Sequence, residues 1–529
     1  RRARGTGFFG GSQAPLRFIP LVDAYDPHRE WHGTAAWLVT ALSGDYAGAV
    51  WGGIGLLPES LDETSARTVA GLAARISMKA FQNLLLANSG ISEFAVPVQG
   101  QLAGGANLIV RGSIPSGAQV EFKLTQKGEE IASRQTIPVT GGRVQFQSMA
   151  YRAEPGQARL IANLMLDGAV IDTITQPLTI LSTEINMPPV RVQDGQFTIE
   201  GKPIFLNGIN YWPRSSAALE RGEYHLGWLS PWVYDPEIVE RDLQVMQNLG
   251  INLVSIQYMN PEYGASMADF AERCWRHGMY LNIFVNGAHP LGPNLPFVRS
   301  LIENGQLAGK PQVFAYDLAW EPNLGHYNSR RSVDSRWETW ILEQYGSIQR
   351  AEADWGFQVP RTPEGSVTGP SDDQLMEDGP WRAMVDIISR GYGEVSRFIR
   401  QMDPDTLIGV RTGYGGTGQP WVAPRFPFDI ASGAAYHDFT SPEAYGVGGD
   451  PDNFLAAGFT TEYSRLVGGG KPVFWSEYGL SVWPNSYDPE NLEANAQYYR
   501  NMYTHLFAAS HTNAAAAWWF PAGFRVDEN

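Results

Sequence analysis

VFAYDLAWEPN, residues 313–323, is an apolar run that ends in an indole, a carboxylate and a proline: Trp320, Glu321 and Pro322. The run reads as a strand, and the proline stops it because proline has no N–H to continue a ladder. Glu321 is therefore delivered at a strand end, where a carboxylate buried without a partner would be costly. A second stretch poses the same problem. KPVFWSEYG, residues 471–479, brings Glu477 to the end of another apolar strand.

Outward from these two stretches, strand and helix patterns alternate from about residue 190 onward. Strands are expected at 205–211, 251–258, 280–286, 312–320, 407–412, 439–445, 472–476 and 514–520. Helices are expected at 236–250, 266–278, 296–307, 453–466 and 491–510. Repeated strand-then-helix units build a parallel sheet, and eight of them close a (β/α)8 TIM barrel. In that arrangement Glu321 closes strand four and Glu477 closes strand seven, on opposite sides of one mouth. Residues 324–406 form a long excursion between strands four and five, with two helices of its own over the same end. The sequence stops at Asn529 before an eighth helix, so further chain is expected to follow.

Residues 91–185 alternate instead, as at Val120, Phe122 and Leu124 and at Leu160, Ala162, Leu164 and Leu166, which reads as a β-sandwich. Residues 1–90 read as a partial N-terminal α/β region. It has short strands at 17–22 and 35–40, then an amphipathic helix at 62–89 with Val69, Leu72, Ile76, Ala80 and Leu84 on one face. The expected organisation is multidomain: partial region 1–90, sandwich 91–185, barrel 190–529.

A formal charge of −16 argues against nucleic acid as a partner, because phosphate binding needs clustered Lys and Arg. No uninterrupted apolar run is long enough to span a bilayer. Cys274, the one cysteine, reads as a small buried hydrophobe. Arg1 is not an initiator Met and no apolar segment follows Arg1 to Arg4, so no signal peptide is visible; the compartment stays open, with an extracellular or cell-envelope setting favoured. Seventeen Trp and twenty-two Tyr supply flat amphipathic rings of the kind that stack on sugars.

The strand ends at Glu321 and Glu477 resemble those of the clan A glycoside hydrolases, over about residues 190–529. The helix from Trp337 to Ile348, continuing to Gly356, is similar to the segment after strand four in family 42 β-galactosidases. The strand Leu206 to Pro213 resembles the first strand of cellulase-type and β-mannanase-type members. The resemblance implies retaining, double-displacement cleavage of a β-galactoside, β-mannoside or β-glucoside. Glu321 would be the general acid/base and Glu477 the nucleophile, with carboxyl groups about 5 Å apart. In that clan the acid/base usually follows an Asn that holds the sugar 2-hydroxyl, whereas here Trp320 stands in that place and Asn323 lies past Pro322.

Strand ends supply the expected sugar contacts: Asn210 on strand one, Tyr258 on two, Asn286 and His289 after three, Trp320 and Asn323 beside the acid, Arg411 on five, and Glu443 with Tyr445 on six. Tyr445 is expected to bond the nucleophile. Trp518 and Trp519 are adjacent on strand eight, so alternation sends one inward, and Trp519 is the expected stacking platform. The substrate partner would be an oligosaccharide or polysaccharide. No metal or organic cofactor is required, because two carboxylates supply both proton transfer and nucleophile. The alternatives are a non-catalytic glycan-binding protein on the same fold, an inverting enzyme, and two rim carboxylates held in salt bridges. GTGFFG, residues 5–10, matches a dinucleotide fingerprint but neither follows a strand nor opens a helix, so it is set aside.

Overall fold

A computed structural model describes residues 16–25, 27, 31–42, 44–55, 62–213, 224–231, 233–322, 324, 326–412, 428–445, 451–479, 489–508 and 510–520. By compactness the chain divides into two units. One holds the residues up to Glu184 with Trp228–Val239 and Ala265–Glu272, and the other holds the rest.

The first unit opens with an antiparallel sheet of Leu16–Tyr25, Trp31–Ala41 and Val50–Ile54. The helix Glu63–Ala80 is capped by Asp62, whose carboxylate accepts the Ser65 N–H at 2.7 Å. Its half-buried stripe includes Val69, Leu72 and Ile76. Ile76 lies so close over Gly52 that a Cβ there would come within 2.3 Å of it. The helix ends at Ala80, not at 89 as its rhythm suggests. Leu84–Gly90 is a strand buried along its whole length. A short apolar run buried on both faces has no period of its own, so it extends a neighbouring helical rhythm by chance.

That strand belongs to the sandwich, which therefore begins before residue 91. One sheet orders Arg143–Arg152, Gln99–Val110 and Leu84–Gly90. The other orders Ala95–Val96, Ala169–Ile180, Gly156–Leu166, Gln119–Gln126 and Glu129–Glu130, with Gln135–Pro138 also on Gln119–Gln126. Their inner faces share one core, in which Leu102, Ala106 and Leu108 meet Val120, Phe122, Leu124, Leu160 and Leu164.

Arg17, only 2% exposed, ties the first strand of the unit to this sandwich. Its guanidinium donates to Asp172 at 2.7 and 3.1 Å and to the Leu86 carbonyl at 2.6 Å, while Lys79 Nζ sits 2.8 Å from the same carboxylate. Burial alone would raise the Asp172 pKa, but the attraction of Arg17 and Lys79 wins and holds it down at about 2. A carboxylate depressed in this way stabilises the fold fully above its unfolded value near 3.8 and loses the contribution as pH falls toward about 2. The window corresponds to roughly 2–3 kcal/mol. Asp172→Asn is expected to cost about 3–5 kcal/mol at neutral pH, since it strands the buried Arg17 and the half-buried Lys79. Denaturant melts at stepped pH check this, and a variant as stable as wild type would refute it.

The second unit is built on an eight-stranded sheet whose ladders are all parallel. In chain order its strands are Leu206–Tyr211, Leu253–Tyr258, Tyr280–Val285, Val313–Trp320, Leu407–Arg411, Glu443–Tyr445, Val473–Gly479 and Thr512–Phe520, called strands one to eight below. Each neighbours the next, strand eight returns to strand one, and an isolated parallel bridge from Arg411 to Ser441 joins strand five to the segment entering strand six. The sheet thus curls round on itself in a barrel-like ring.

A small antiparallel sheet, Arg191–Gln193, Gln196–Ile199 and Lys202–Pro203, precedes strand one. From it Phe197 inserts among Phe314 and Phe439, with ring centroids 5.1 and 5.5 Å away, and closes the floor together with Phe474. Gly409 is needed in that floor, because a Cβ would stand 2.3 Å from the Phe439 ring. The excursion holds the helices Asp334–Tyr345 and Ile348–Trp355 before Asp378–Met402 leads back to strand five. Among the described residues no helix is long and apolar enough to cross a membrane.

Candidate active site

Alternation along the parallel strands decides which side chains reach the ring's interior. On strand one Leu206 lies in the floor core, so Asn210 points inward above it. On strand two Leu253 is in the same core and Ser255 meets Arg411, which makes Gln257 the next inward residue. Tyr258 therefore faces outward, and its ring packs near Gly305, at 3.2 Å from where a Cβ would stand. Tyr258, expected to contact sugar, is thus turned away from the interior. Gln257, 6% exposed and with no hydrogen-bond partner for its Oε1, takes the inward place.

Arg411, fully buried at the end of strand five, organises the interior. Its Nη1 donates to Glu477 Oε1 at 2.9 Å and to Asn210 Oδ1 at 3.1 Å, and its Nη2 to Ser255 Oγ at 2.6 Å. Its Nε lies 3.3 Å from Asp317 Oδ2 and 3.2 Å from Glu443 Oε1. Its backbone N–H donates to Asp317 Oδ1 at 2.9 Å. Asn210 is fixed in turn by donating to the Ser476 carbonyl at 2.9 Å, on the strand that carries Glu477. Each branch of the planar fork has a different recipient, a task a lysine could not perform.

Trp320 covers this guanidinium, with the Arg411 Cζ 3.5 Å from a ring centroid, a cation–π contact in a desolvated place. Phe284 and Trp518 edge the same indole at 6.1 and 6.3 Å. The ladder between strands four and five is irregular from Asp317 to Trp320. Glu321 then adopts φ +46°, in the left-handed region that a long side chain enters at a cost of about 1–3 kcal/mol. Backbone strain falls on the carboxylate that the sequence singles out.

Glu443 and Glu477 are direct partners in the ladder of strands six and seven. Carboxylate oxygens of Glu321, Glu443 and Glu477 all lie within 4.8 Å of one another. Such a spacing also suits a divalent cation, but Arg411 already supplies positive charge to two of the three. Glu443 is fully buried, and its pKa is pushed well above the usual carboxylate range, first by burial and then by repulsion from Glu477 and Glu321, with Arg411 only partly opposing. Asp317 is raised as well, by burial that outweighs the pull of Arg411.

The remaining expected contacts are distributed unevenly. Asn286 spends its amide on the Met259 carbonyl at 3.2 Å and on its own turn through Gly287. His289 is exposed, and its Nδ1 accepts the Leu291 N–H at 3.3 Å. Both serve their loop. The Trp518–Trp519 peptide is cis, and both rings pack on the buried Trp212, Trp519 stacked at 4.8 Å and Trp518 edge-on at 4.9 Å. Trp518 is also the ring that reaches Trp320, with centroids 6.3 Å apart. Tyr445 pairs with Gly479 in the ladder, but its side chain lies outside the described residues, as does Asn323. Sequence reasoning missed Ser255, Asp317, Gln257 and Asn282, whose amide donates to Ser255 Oγ at 3.2 Å and to Asp317 Oδ2 at 3.4 Å. The signal for them was a polar residue inside an otherwise apolar strand.

No protein-family model matches the chain. A segment of 107 residues is 31% identical to a 1,3-beta-glucanosyltransferase of Saccharomyces cerevisiae, covering 20% of each protein. Among solved structures, a β-galacturonidase of family GH2 from Eisenbergiella tayi, bound to galacturonate, aligns over 83% of this chain and 65% of its own, with 13% identity and TM-score 0.37. A β-glucuronidase from Ruminococcus gnavus aligns over 84% and 64%, with 13% identity and TM-score 0.35. The chain thus spans a fifth of the yeast protein and less than two thirds of either glycosidase. At these TM-scores the structural likenesses carry no argument.

Proposed function

We propose that this chain is a retaining glycoside hydrolase acting on β-linked sugars. The observation that carries the reading is the approach of the Glu321 and Glu477 carboxylate oxygens to within 4.8 Å. That fits the roughly 5–5.5 Å of double displacement and leaves no room for the water that an inverting pair holds between carboxyls about 6.5–9.5 Å apart. Glu477, hydrogen-bonded by Arg411, is the ionised nucleophile that bonds to the anomeric carbon. As the glycosidic bond breaks, half-buried Glu321 gives its proton to the departing oxygen. Glu321 then takes a proton from water, which attacks the anomeric carbon and releases Glu477. A pocket that merely held glycans would gain nothing from burying carboxyls around one guanidinium and straining the backbone of a third.

The short match to a yeast transferase favours a second outcome for the same intermediate, in which a sugar hydroxyl replaces water. Incubation with a panel of activated 2-deoxy-2-fluoro glycosides, then intact-mass and peptide mapping, is expected to show one adduct on Glu477. Labelling elsewhere, with Glu477→Ala still turning over, would sink the assignment. Chromatography of products from natural oligosaccharides separates the fates, because transfer yields chains longer than the donor.

A further inference from the structure

We infer that Glu443 is a third working carboxyl, held as the neutral acid and donating its proton to Glu321, so that it tunes how readily Glu321 loses and regains its own. The inference rests on the reading of Glu321 as the acid/base. It starts from a mismatch of donors and acceptors. Neither oxygen of fully buried Glu443 has a hydrogen-bond donor; Arg411 Nε stands at ion-pair distance, 3.2 Å, without the alignment of a bond. The groups facing it are Glu477 across the ladder, Glu321 within the same 4.8 Å cluster, and Arg411, which is shared with Asp317. Two carboxylates that only accept cannot sit side by side in a dry interior unless something lies between them.

Charge leads to the same place. Asp317, Glu443 and Glu477, none more than 2% exposed, surround one guanidinium, and Glu321 adds a fourth carboxyl at the edge. Carboxyls this close do not all ionise, and one of a neighbouring pair keeps its proton. Glu477 receives the direct Arg411 bond and is the one to stay charged. Glu443, with no donor of its own, bonds to Glu321 once protonated. No net proton is consumed over a turnover. When Glu321 has protonated the leaving oxygen, the Glu443 O–H stabilises the resulting carboxylate, and when Glu321 takes a proton from water that bond weakens. Glu443 is thus a positioning residue that acts through Glu321.

Infrared difference spectra of the unliganded chain against Glu443→Gln, near neutral pH, are expected to show a carboxylic-acid C=O stretch that the variant lacks. This readout needs no turnover, so it locates the proton even if the glycosidase reading fails. In kinetics, Glu443→Leu removes the donor that favours the ionised acid/base, so the alkaline limb of the kcat/KM profile moves to higher pH, with about a hundredfold loss of rate. Glu443→Gln, which keeps an N–H donor, is expected to slow the reaction by about tenfold and to leave that limb in place. Three results would overturn the inference: no acid band in the wild type, a band that disappears on adding magnesium, calcium or manganese ions, or loss of rate in both variants with no movement of the limb.

Discussion

Glu477→Ala is expected to lower kcat by about 10⁴-fold or more, the scale seen when a nucleophile is removed from an enzyme that forms a covalent intermediate. The side chain is 2% exposed and held at 2.9 Å by Arg411, so truncation leaves a small cavity facing the anomeric carbon. Azide is small enough to enter it and carries the missing negative charge. With an activated β-glycoside, azide should restore turnover and give the product of inverted, α configuration. The same experiment on Glu321→Ala should give the β-azide, because there the anion attacks the intermediate from the opposite face. Identical stereochemistry from both variants would refute the division of roles.

Arg411→Met should produce the second large effect, on folding as much as on rate. Asp317, Glu443 and Glu477 would be left buried without the cation that each of them approaches within 3.3 Å. Removing one partner from a buried charged network typically costs about 3–5 kcal/mol. A group that loses its cation also becomes harder to ionise, so the acid limb of the kcat/KM profile should move to higher pH. Arg411→Lys is not expected to rescue either property, since an ammonium cannot reach Asn210, Ser255 and Glu477 together or lie flat against Trp320. A stability loss below about 1 kcal/mol by denaturant unfolding would mean that the network is not what holds these carboxyls in place.

The strand-helix alternation and the two glutamates were legible because an apolar strand that closes on a carboxylate admits few other readings. Parity was not. LVSIQY, residues 253–258, is buried on both faces, so its pattern cannot show that Ser255 and Gln257 face inward while Tyr258 faces out. Trp320 was legible as an oddity, but its contact with Arg411 was not, because the two lie 91 residues apart in sequence and only the curl of the sheet brings them together. The packing of Trp519 on Trp212 was not legible either, because the two are 307 residues apart in sequence. The left-handed turn at Glu321 had no signal at all, since glycine is the residue that normally announces one.

The aromatic floor sets the order of events above it. With Phe197, Phe314, Phe439 and Phe474 no more than 2% exposed, the described residues close the ring at that end. If the proposed reaction holds, a sugar chain would enter from the opposite end, lying across the rim or inserting one end. In the proposed reaction the departing sugar and the incoming water would both pass that rim. Vacating it therefore has to precede hydrolysis, and an acceptor sugar that lingers there would be placed to take the glycosyl group itself.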